Sequence, residues 1–553
     1  MQTPNHLALT KIFKQKTALV IDDFPDMRGS IRRMLITFGV ENVDTAANGE
    51  DAFAKCKENT YDLIVADYNL GNSKNGQQIL EELRHKHMLK NTSIYMMVTA
   101  ETTKSMVFSA LECQPDDYLT KPFTQTVLQK RLTRLILEKE ALYAINQSID
   151  NLNFDQAIDL CQQRIEEKDK YEFRCKKLKG NCLIQKKRFK KAKELYEQVL
   201  DERNVEWAAI GLGKAQLALG DIDQAESTFS NLIANGCLCM EVYDYLADIK
   251  NRKGFAEEAQ SILQSAIEVS PFSIPRQRMM AQISEGNNCF GDAEQAHRKV
   301  IKLSQNSVYE SPEHHFKLAR CIATDISQNG LKDNKRLKEA QEVIRLCKRK
   351  YKSNKDVNLQ SEAVLANVMA SAGQKEKSQQ AIEHVESQAG DMKTQTVALQ
   401  LEMARSYMVA GQREKAHELL VALAEKHADD PDICDAIDQI SDEPLTAKGK
   451  QKAIELNDKA KQLFANKEYE KAVSLFGQAL THYPNNIGLN LNFILALVRK
   501  MGSTGASQEE LDRCNAARDR ISHITDSHAL HERYQVLCKH LEKLSKSFEA
   551  EKA

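Results

Sequence analysis

Ala18-Leu-Val-Ile-Asp-Asp23 and Leu63-Ile-Val-Ala-Asp67 decide the reading of the first quarter of the chain. Each is an unbroken apolar run that ends on aspartate. Three more short runs follow the same plan: Val43-Asp-Thr-Ala46, Ile94-Tyr-Met-Met-Val98 and Asp117-Tyr-Leu119. Segments of helical length separate them. Unbroken apolar runs with helical spacers predict strands buried on both faces, which means a parallel sheet wrapped by crossover helices. In such sheets ligands bind beyond the carboxyl ends of the strands. Asp22 and Asp23, Asp67, Thr99 and Lys121 stand there, after the first, third, fourth and fifth runs.

Three carboxylates brought together raise one another's pKa unless a cation holds them. Magnesium takes oxygen ligands, commonly one or two carboxylates with water and phosphate oxygens, so Asp22, Asp23 and Asp67 suit it. An aspartate can also attack phosphorus to give an acyl phosphate. Lys121 and Thr99 would then bind the transferred oxygens, one as a compact charge and the other as a donor. Taken singly, each residue has an ordinary reading. Asp67 could be a turn or a helix cap, Asp22 and Asp23 a solvated pair, Thr99 an N-cap and Lys121 a surface charge. Their joint placement at matching strand ends favours a phosphoryl-transfer site.

Val20-Ile-Asp-Asp-Phe24, Asp62-Leu-Ile-Val-Ala-Asp67, Val98-Thr-Ala100 and Tyr118-Leu-Thr-Lys-Pro-Phe123 together resemble the receiver domain of two-component response regulators, over about residues 14 to 140. The resemblance implies a flavodoxin-like, doubly wound five-stranded sheet and an Asp67 that accepts phosphate from a histidine kinase or phosphotransfer protein. It implies magnesium held by Asp22, Asp23, the Asp67 carboxylate and the Asn69 backbone carbonyl, and a cis Lys121-Pro122 bond. It further implies that Thr99 and Tyr118 act as a switch, altering a face that runs roughly from Thr103 to Leu137. Tyr118 also has the plain reading of a packed aromatic at a sheet edge. The segment Tyr68-Asn-Leu-Gly-Asn-Ser-Lys-Asn-Gly76 departs from the family's usual shorter turn, and Asn69 and Glu101 occupy positions that tune phosphoryl lifetime in the family.

The rest of the chain has a period. Ala157, Ala192, Ala225, Ala259 and Ala293 recur at about 34 residues. Around them stand Leu212-Gly-Lys-Ala-Gln-Leu-Ala-Leu-Gly220 with Phe229, and Tyr243, Leu246 and Gly254 with Pro271. Later copies run Ala404-Arg-Ser-Tyr407, Gly411, Ala416, and Ala460-Lys-Gln-Leu-Phe464, Tyr469, Ala472, Phe476, Pro484. Degenerate copies centre on Ala340 and Ser378, within Pro312 to Gly390. These segments resemble the tetratricopeptide repeat, a helix-turn-helix unit. The predicted organisation is a receiver over residues 1–137 and an all-α repeat superhelix over 138–553, of about nine helix pairs, whose concave face takes a protein ligand. Thr124 to Tyr143 reads as one helix joining the two without a flexible linker.

Composition agrees with a folded chain of two or more structural units: 553 residues, 42% hydrophobic, with only 10 Pro and 22 Gly to make loops. A net charge of −1 gives no global attraction to nucleic acid or acidic membranes. The basic runs Lys186-Lys-Arg-Phe-Lys-Lys191 and Lys348-Arg-Lys-Tyr-Lys352 read first as solvated helix faces and second as an RNA surface. Thirteen cysteines lack paired metal spacing, Cys237 and Cys239 forming only a lone C-x-C, and His85, His87, His314 and His315 lack further clustered ligands. No signal peptide or membrane span is expected, which points to a cytoplasmic protein; the receiver resemblance implies a bacterial one, and no DNA-binding domain is expected. Nor is an enzyme expected, beyond the receiver's own phosphorylation and dephosphorylation. The leading expectation is that phosphorylation at Asp67 alters partner binding or homodimerisation. The alternative is a constitutive scaffold whose receiver only docks a kinase or drains its phosphate.

Overall fold

A computed structural model describes residues 11–71, 74–100, 103–329, 334–505, 507–526 and 528–552. Glu101 lies outside the described residues, as do Asn72 and Ser73 of the loop after Asp67.

The predicted strands form: β1 (Thr17–Ile21), β2 (Asn42–Ala46), β3 (Leu63–Asp67), β4 (Ile94–Thr99) and β5 (Asp117–Thr120), all parallel in the order β2-β1-β3-β4-β5. Helices α1 (Pro25–Phe38), α2 (Gly49–Glu58), α3 (Gly76–His85), α4 (Lys104–Glu112) and α5 (Gln125–Ala141) cover both faces. Alternate strand residues point to opposite cores. Val20, Val65 and Met96 pack with Leu35 of α1 and Leu128 and Leu132 of α5, whereas Ile21, Ala66 and Met97 pack with Ile79, Leu80 and Leu83 of α3. Burial on both faces is why these strands read as unbroken apolar runs rather than alternating ones. Register then aligns the functional ends: Ile21 pairs with Ala46 and Ala66, Asp67 with Val98, and Thr99 with Thr120.

The helix expected from Thr124 to Tyr143 is capped by the Thr124 side chain and runs to Ala141. It breaks at Leu142, and α6 (Tyr143–Asp150) begins after that single residue. Leu137, the predicted last residue of the receiver, therefore lies inside α5. Leu142 is buried among Ile145, Ala157 and Ile158, so the apolar demand of the first repeat pulls the chain out of helical line. Polar ties reinforce the junction: the Asp150 carboxylate accepts from Asn91 N at 2.7 Å, and Lys139 Nζ donates to Asn91 O at 2.7 Å.

Among the described residues, everything beyond is helical apart from connections. Nine helix pairs place the predicted small residues in their second helices: α6/α7 (Phe154–Glu166), α8 (Glu172–Gln185)/α9 (Phe189–Glu202), α10 (Glu206–Leu219)/α11 (Ile222–Ala234), α12 (Met240–Arg252)/α13 (Ala256–Val269) and α14 (Ile274–Gly286)/α15 (Phe290–Ser304). Then come α16 (Glu313–Asn329)/α17 (Asn334–Lys350), α18 (Lys355–Ser371)/α19 (Lys375–Ala389), α20 (Val397–Val409)/α21 (Arg413–Lys426) and, after α22 (Pro431–Ile440), α23 (Ala447–Ala465)/α24 (Tyr469–His482). The eight alanines from Ala157 to Ala472 are fully buried, and so is Ser378, whose hydroxyl donates to Ala366 O at 2.8 Å. Among the described residues α22, α25 (Ile487–Thr504), α26 (Gln508–Arg520) and α27 (His531–Lys552) stand outside the nine predicted pairs.

The chain divides into two compact units. One holds the described residues of Met1–Ile249, Ser261–Gln277 and Lys302–Glu310, and the other holds Lys250–Gln260, Arg278–Ile301 and those of Ser311–Ala553. No helix among the described residues is long and apolar enough to cross a membrane.

Candidate phosphoacceptor site

The strand ends bring Asp22, Asp23 and Asp67 together, one oxygen of each lying within 4.8 Å of the others. Asp22 is fully buried. Its Oδ1 accepts from Phe24 N at 2.9 Å, which fixes the turn into α1, and its Oδ2 meets Lys121 Nζ at 2.8 Å. Lys121 Nζ reaches Asp67 Oδ2 as well, at 3.0 Å. Lys121 follows β5, its N–H donates to Thr99 O at 2.7 Å, and its bond to Pro122 is cis, as the resemblance implies.

Burial is the largest influence on Asp67 and raises its pKa, with Asp22 and Asp23 adding to the rise and Lys121 opposing it. For Lys121, burial works against the charge, but the bonds to Asp22 and Asp67 outweigh it and the pKa is raised. The lysine is thus held as a cation where a phosphoryl group would bring negative charge.

The donor set fits magnesium. All three side chains offer carboxylate oxygen, the ligand this ion prefers, and Asp23 Oδ1 is buried with no hydrogen-bond partner. A buried carboxylate oxygen without a partner is costly, and a bound cation would satisfy it. Asn69 lies in the loop that leaves β3; its side chain accepts from Gly71 N at 3.3 Å. A Cβ on Gly71 would lie 3.7 Å from Asp23 Oδ2, so this loop borders the carboxylates.

Thr99 is buried at the end of β4, one residue beyond the Val98 that pairs with Asp67. Tyr118 is half-buried on β5 and packs against the core face that contains Met97 and Ala110. All the predicted positions therefore converge on one end of the sheet, with Tyr118 beside it rather than in it.

Sequence reasoning missed a set of contacts made by α4. Arg276, almost fully buried, places Nε 2.7 Å from Asp244 Oδ1 and one terminal nitrogen 2.9 Å from Asp244 Oδ2. The same terminal nitrogen reaches Glu112 Oε1, at the last residue of α4, at 2.8 Å. The buried hydroxyls of Ser109 and Ser270 share a hydrogen bond of 2.8 Å. Burial raises the pKa of both Glu112 and Asp244, against the pull of Arg276. On α3, Gln78 Nε2 donates to Gln305 O at 3.1 Å. Separations of 161 to 227 residues leave no sequence signal for such pairs. A second grouping of ligand-type residues, Glu285, His297 and Cys321, was also invisible in sequence, but there the Glu285 carboxylate already pairs with His297 Nε2 at 2.8 Å.

Comparison with known proteins agrees with this geometry. The response regulator receiver domain family matches residues 18–133, and a tetratricopeptide repeat family matches residues 183–236. The chain is 29% identical over 122 residues to chemotaxis protein CheY-3 of Vibrio cholerae, covering 22% of this chain and 92% of that protein. It is 30% identical over 117 residues to chemotaxis protein CheY of Pseudomonas aeruginosa, covering 21% and 93%. Among solved structures, Vibrio cholerae CheY4 shares 27% identity at a TM-score of 0.20, covering 22% of this chain and 98% of that one. A tetratricopeptide repeat protein from Parabacteroides merdae shares 14% identity at a TM-score of 0.31, covering 52% and 97%. With a receiver's five-stranded sheet and acidic strand ends joined to a tetratricopeptide repeat region, the chain belongs to the response regulator family.

Proposed function

We propose that this protein accepts a phosphoryl group on Asp67 from a histidine kinase or phosphotransfer protein, and that the repeat region converts phosphorylation into a change in protein binding. The observation that carries the reading is the convergence of Lys121 on Asp22 and Asp67 beside the unpartnered oxygen of Asp23.

In the proposed transfer an Asp67 oxygen attacks phosphorus, forming an acyl phosphate as the bond from phosphorus to the donor's imidazole nitrogen breaks and the imidazole departs. Lys121 and the Thr99 hydroxyl bind oxygens of the arriving group. Asp22, Asp23, Asp67 and the Asn69 carbonyl would hold magnesium, which when bound neutralises charge on the phosphoryl oxygens. The repeats supply binding surfaces rather than chemistry, so the protein is a regulator and not an enzyme beyond its own phosphorylation and dephosphorylation.

Helix α4 offers the route outward. It follows Thr99, and its far end is tied through Glu112 to Arg276 and through Ser109 to Ser270. A movement of α4 that accompanies phosphorylation would strain or release those ties, and the repeat residues bearing them would respond.

The test is intact mass after incubation with magnesium and acetyl phosphate. One phosphoryl adduct is expected in the wild type and none in Asp67→Ala. Equal binding of every identified partner by the phosphorylated protein and by Asp67→Ala would instead favour a constitutive scaffold whose receiver only docks a kinase or drains phosphate.

A further inference from the structure

The two basic runs singled out in the sequence have different surroundings. In the first, Lys186 and Arg188 share one carboxylate, Asp155, at 2.9 and 2.7 Å. The second lies where α17 ends and the chain turns into α18. From Asn334 to Lys352 the chain carries eight Lys or Arg against two Glu. Lys348 pairs with Glu362 and Arg345 with Glu342, yet Arg349 and Lys352 make no ion pair among the described residues.

This charge rims a cavity of about 580 Å³ between α17 and α18. Its floor is aliphatic: Ile344 of α17 with Leu365 and Met369 of α18. Ile344 is buried, while Leu365 and Met369 remain half-exposed to the cavity. Arg345, Lys348, Arg349 and Lys352 stand around it. An apolar floor within a cationic rim selects a ligand with the opposite pattern, an apolar anchor flanked by negative charge. Surfaces for single-stranded nucleic acid pair basic residues with aromatic rings on which bases stack, and no ring lines this floor. Met369 and the stems of the lysines and arginines can adjust to an aliphatic or aromatic anchor.

We propose that the α17–α18 groove binds an acidic amphipathic segment of a partner protein, with apolar side chains seated on Ile344, Leu365 and Met369 and carboxylates paired with Arg349 and Lys352. The proposal rests on the reading of the repeats as a protein-binding region, and it is independent of phosphorylation at Asp67.

The experiment pans a random peptide display library against the full-length protein, with R349E/K352E as the counter-target. Both side chains are exposed, so the double variant keeps its fold, which thermal melting checks. The expected winners place Leu, Ile, Met or Phe beside Asp or Glu. As synthetic peptides they bind R349E/K352E about tenfold or more weakly, lose affinity with added salt, and bind Met369→Asp weakly even at low salt. Asp67→Ala binds them as the wild type does, which separates this site from the phosphorylation reading. The proposal is overturned if no recovered peptide distinguishes R349E/K352E from wild type, or if the winners lack acidic residues. It is also overturned if a single-stranded oligouridylate probe, and no peptide, shows the R349E/K352E defect.

Discussion

Gly76 shows how closely the backbone is packed behind the phosphoacceptor. A Cβ at this position would lie 2.3 Å from Asp67 O and 3.2 Å from Tyr68 Cα, both backbone atoms that can yield only if the end of β3 shifts. Gly76→Ala is therefore expected to destabilise the protein by about 1–3 kcal/mol, as overpacking does, and to slow phosphorylation from acetyl phosphate. Thermal melting and the rate of adduct formation by intact mass check the two effects, and an unchanged rate would show that the strand end tolerates the shift. The glycine could have been found in the sequence only by knowing where helix α3 returns, whereas the site itself was legible. Asp22, Asp23, Asp67, Thr99 and Lys121 each follow an apolar run, and a parallel sheet has one end at which such residues can meet. The missed ligand-type grouping of Glu285, His297 and Cys321 comes from three separate helices, where no comparable rule predicts convergence.

At the scale of the element, the repeat hairpins share a device that only half of them spell with glycine. Five residues before the buried small position, eight of the nine pairs have a residue of left-handed backbone. These are Gly220, Gly254, Gly373 and Gly411, and also Leu152 (φ 57°), Lys187 (φ 55°), Asn288 (φ 58°) and Lys467 (φ 64°). In the ninth pair this turn includes residues outside the described set. Leu152 is 71% exposed and gains nothing from packing, so Leu152→Gly is expected to stabilise the first hairpin by up to about 1 kcal/mol, the strain of the left-handed region relieved less the entropy of a glycine. Denaturant unfolding of the two proteins checks the sign. The small-residue period was legible because a buried alanine leaves a fixed mark. It faded between Pro312 and Gly390 because α16, α17 and α18 each run to 17 residues, which stretches the spacing from Ala293 to Ala340 and on to Ser378. Helix α24 carries a pH dependence. Burial, Lys452 and Arg252 lower the pKa of His482, whose Nε2 lies 3.2 Å from Lys452 Nζ. Its folded pKa is thus below its unfolded value near 6.5, so the unfolded chain binds the extra proton and stability falls as pH drops through about 6.5 toward the folded pKa. His482→Gln should flatten the melting temperature below about pH 6.5, where the unfolded imidazole begins to charge. An unchanged slope would place the dependence on other groups.

For the molecule as a whole, the question is what couples a receiver to its repeats within the first compact unit. A direct helical junction was legible in the apolar residues from Val127 to Leu142, although its break at Leu142 was not. The lateral tie was beyond sequence reasoning, since Arg276 lies 164 residues from Glu112. Its energetics make it a candidate for the output. Removing the guanidinium leaves Glu112 and Asp244, whose pKa values burial already raises, without their cation. Breaking a buried pair by deleting one partner costs about 3 kcal/mol or more, so Arg276→Ala should speed amide exchange in α4 and at residues 270–276. If phosphorylation loosens this tie, linkage requires the tie to oppose the phosphorylated state by the same factor. Beryllofluoride, a phosphoryl mimic that binds reversibly, gives an equilibrium measure of that factor. Arg276→Ala is expected to bind it more tightly with magnesium present, within the roughly 5- to 150-fold range of coupling between sites. Ser109→Ala, which removes only one hydroxyl of the Ser109–Ser270 bond, should move in the same direction by less. Equal affinities across the three proteins would mean that α4 and the repeats move as one body, leaving the α5–α6 junction as the path by which the repeats sense Asp67.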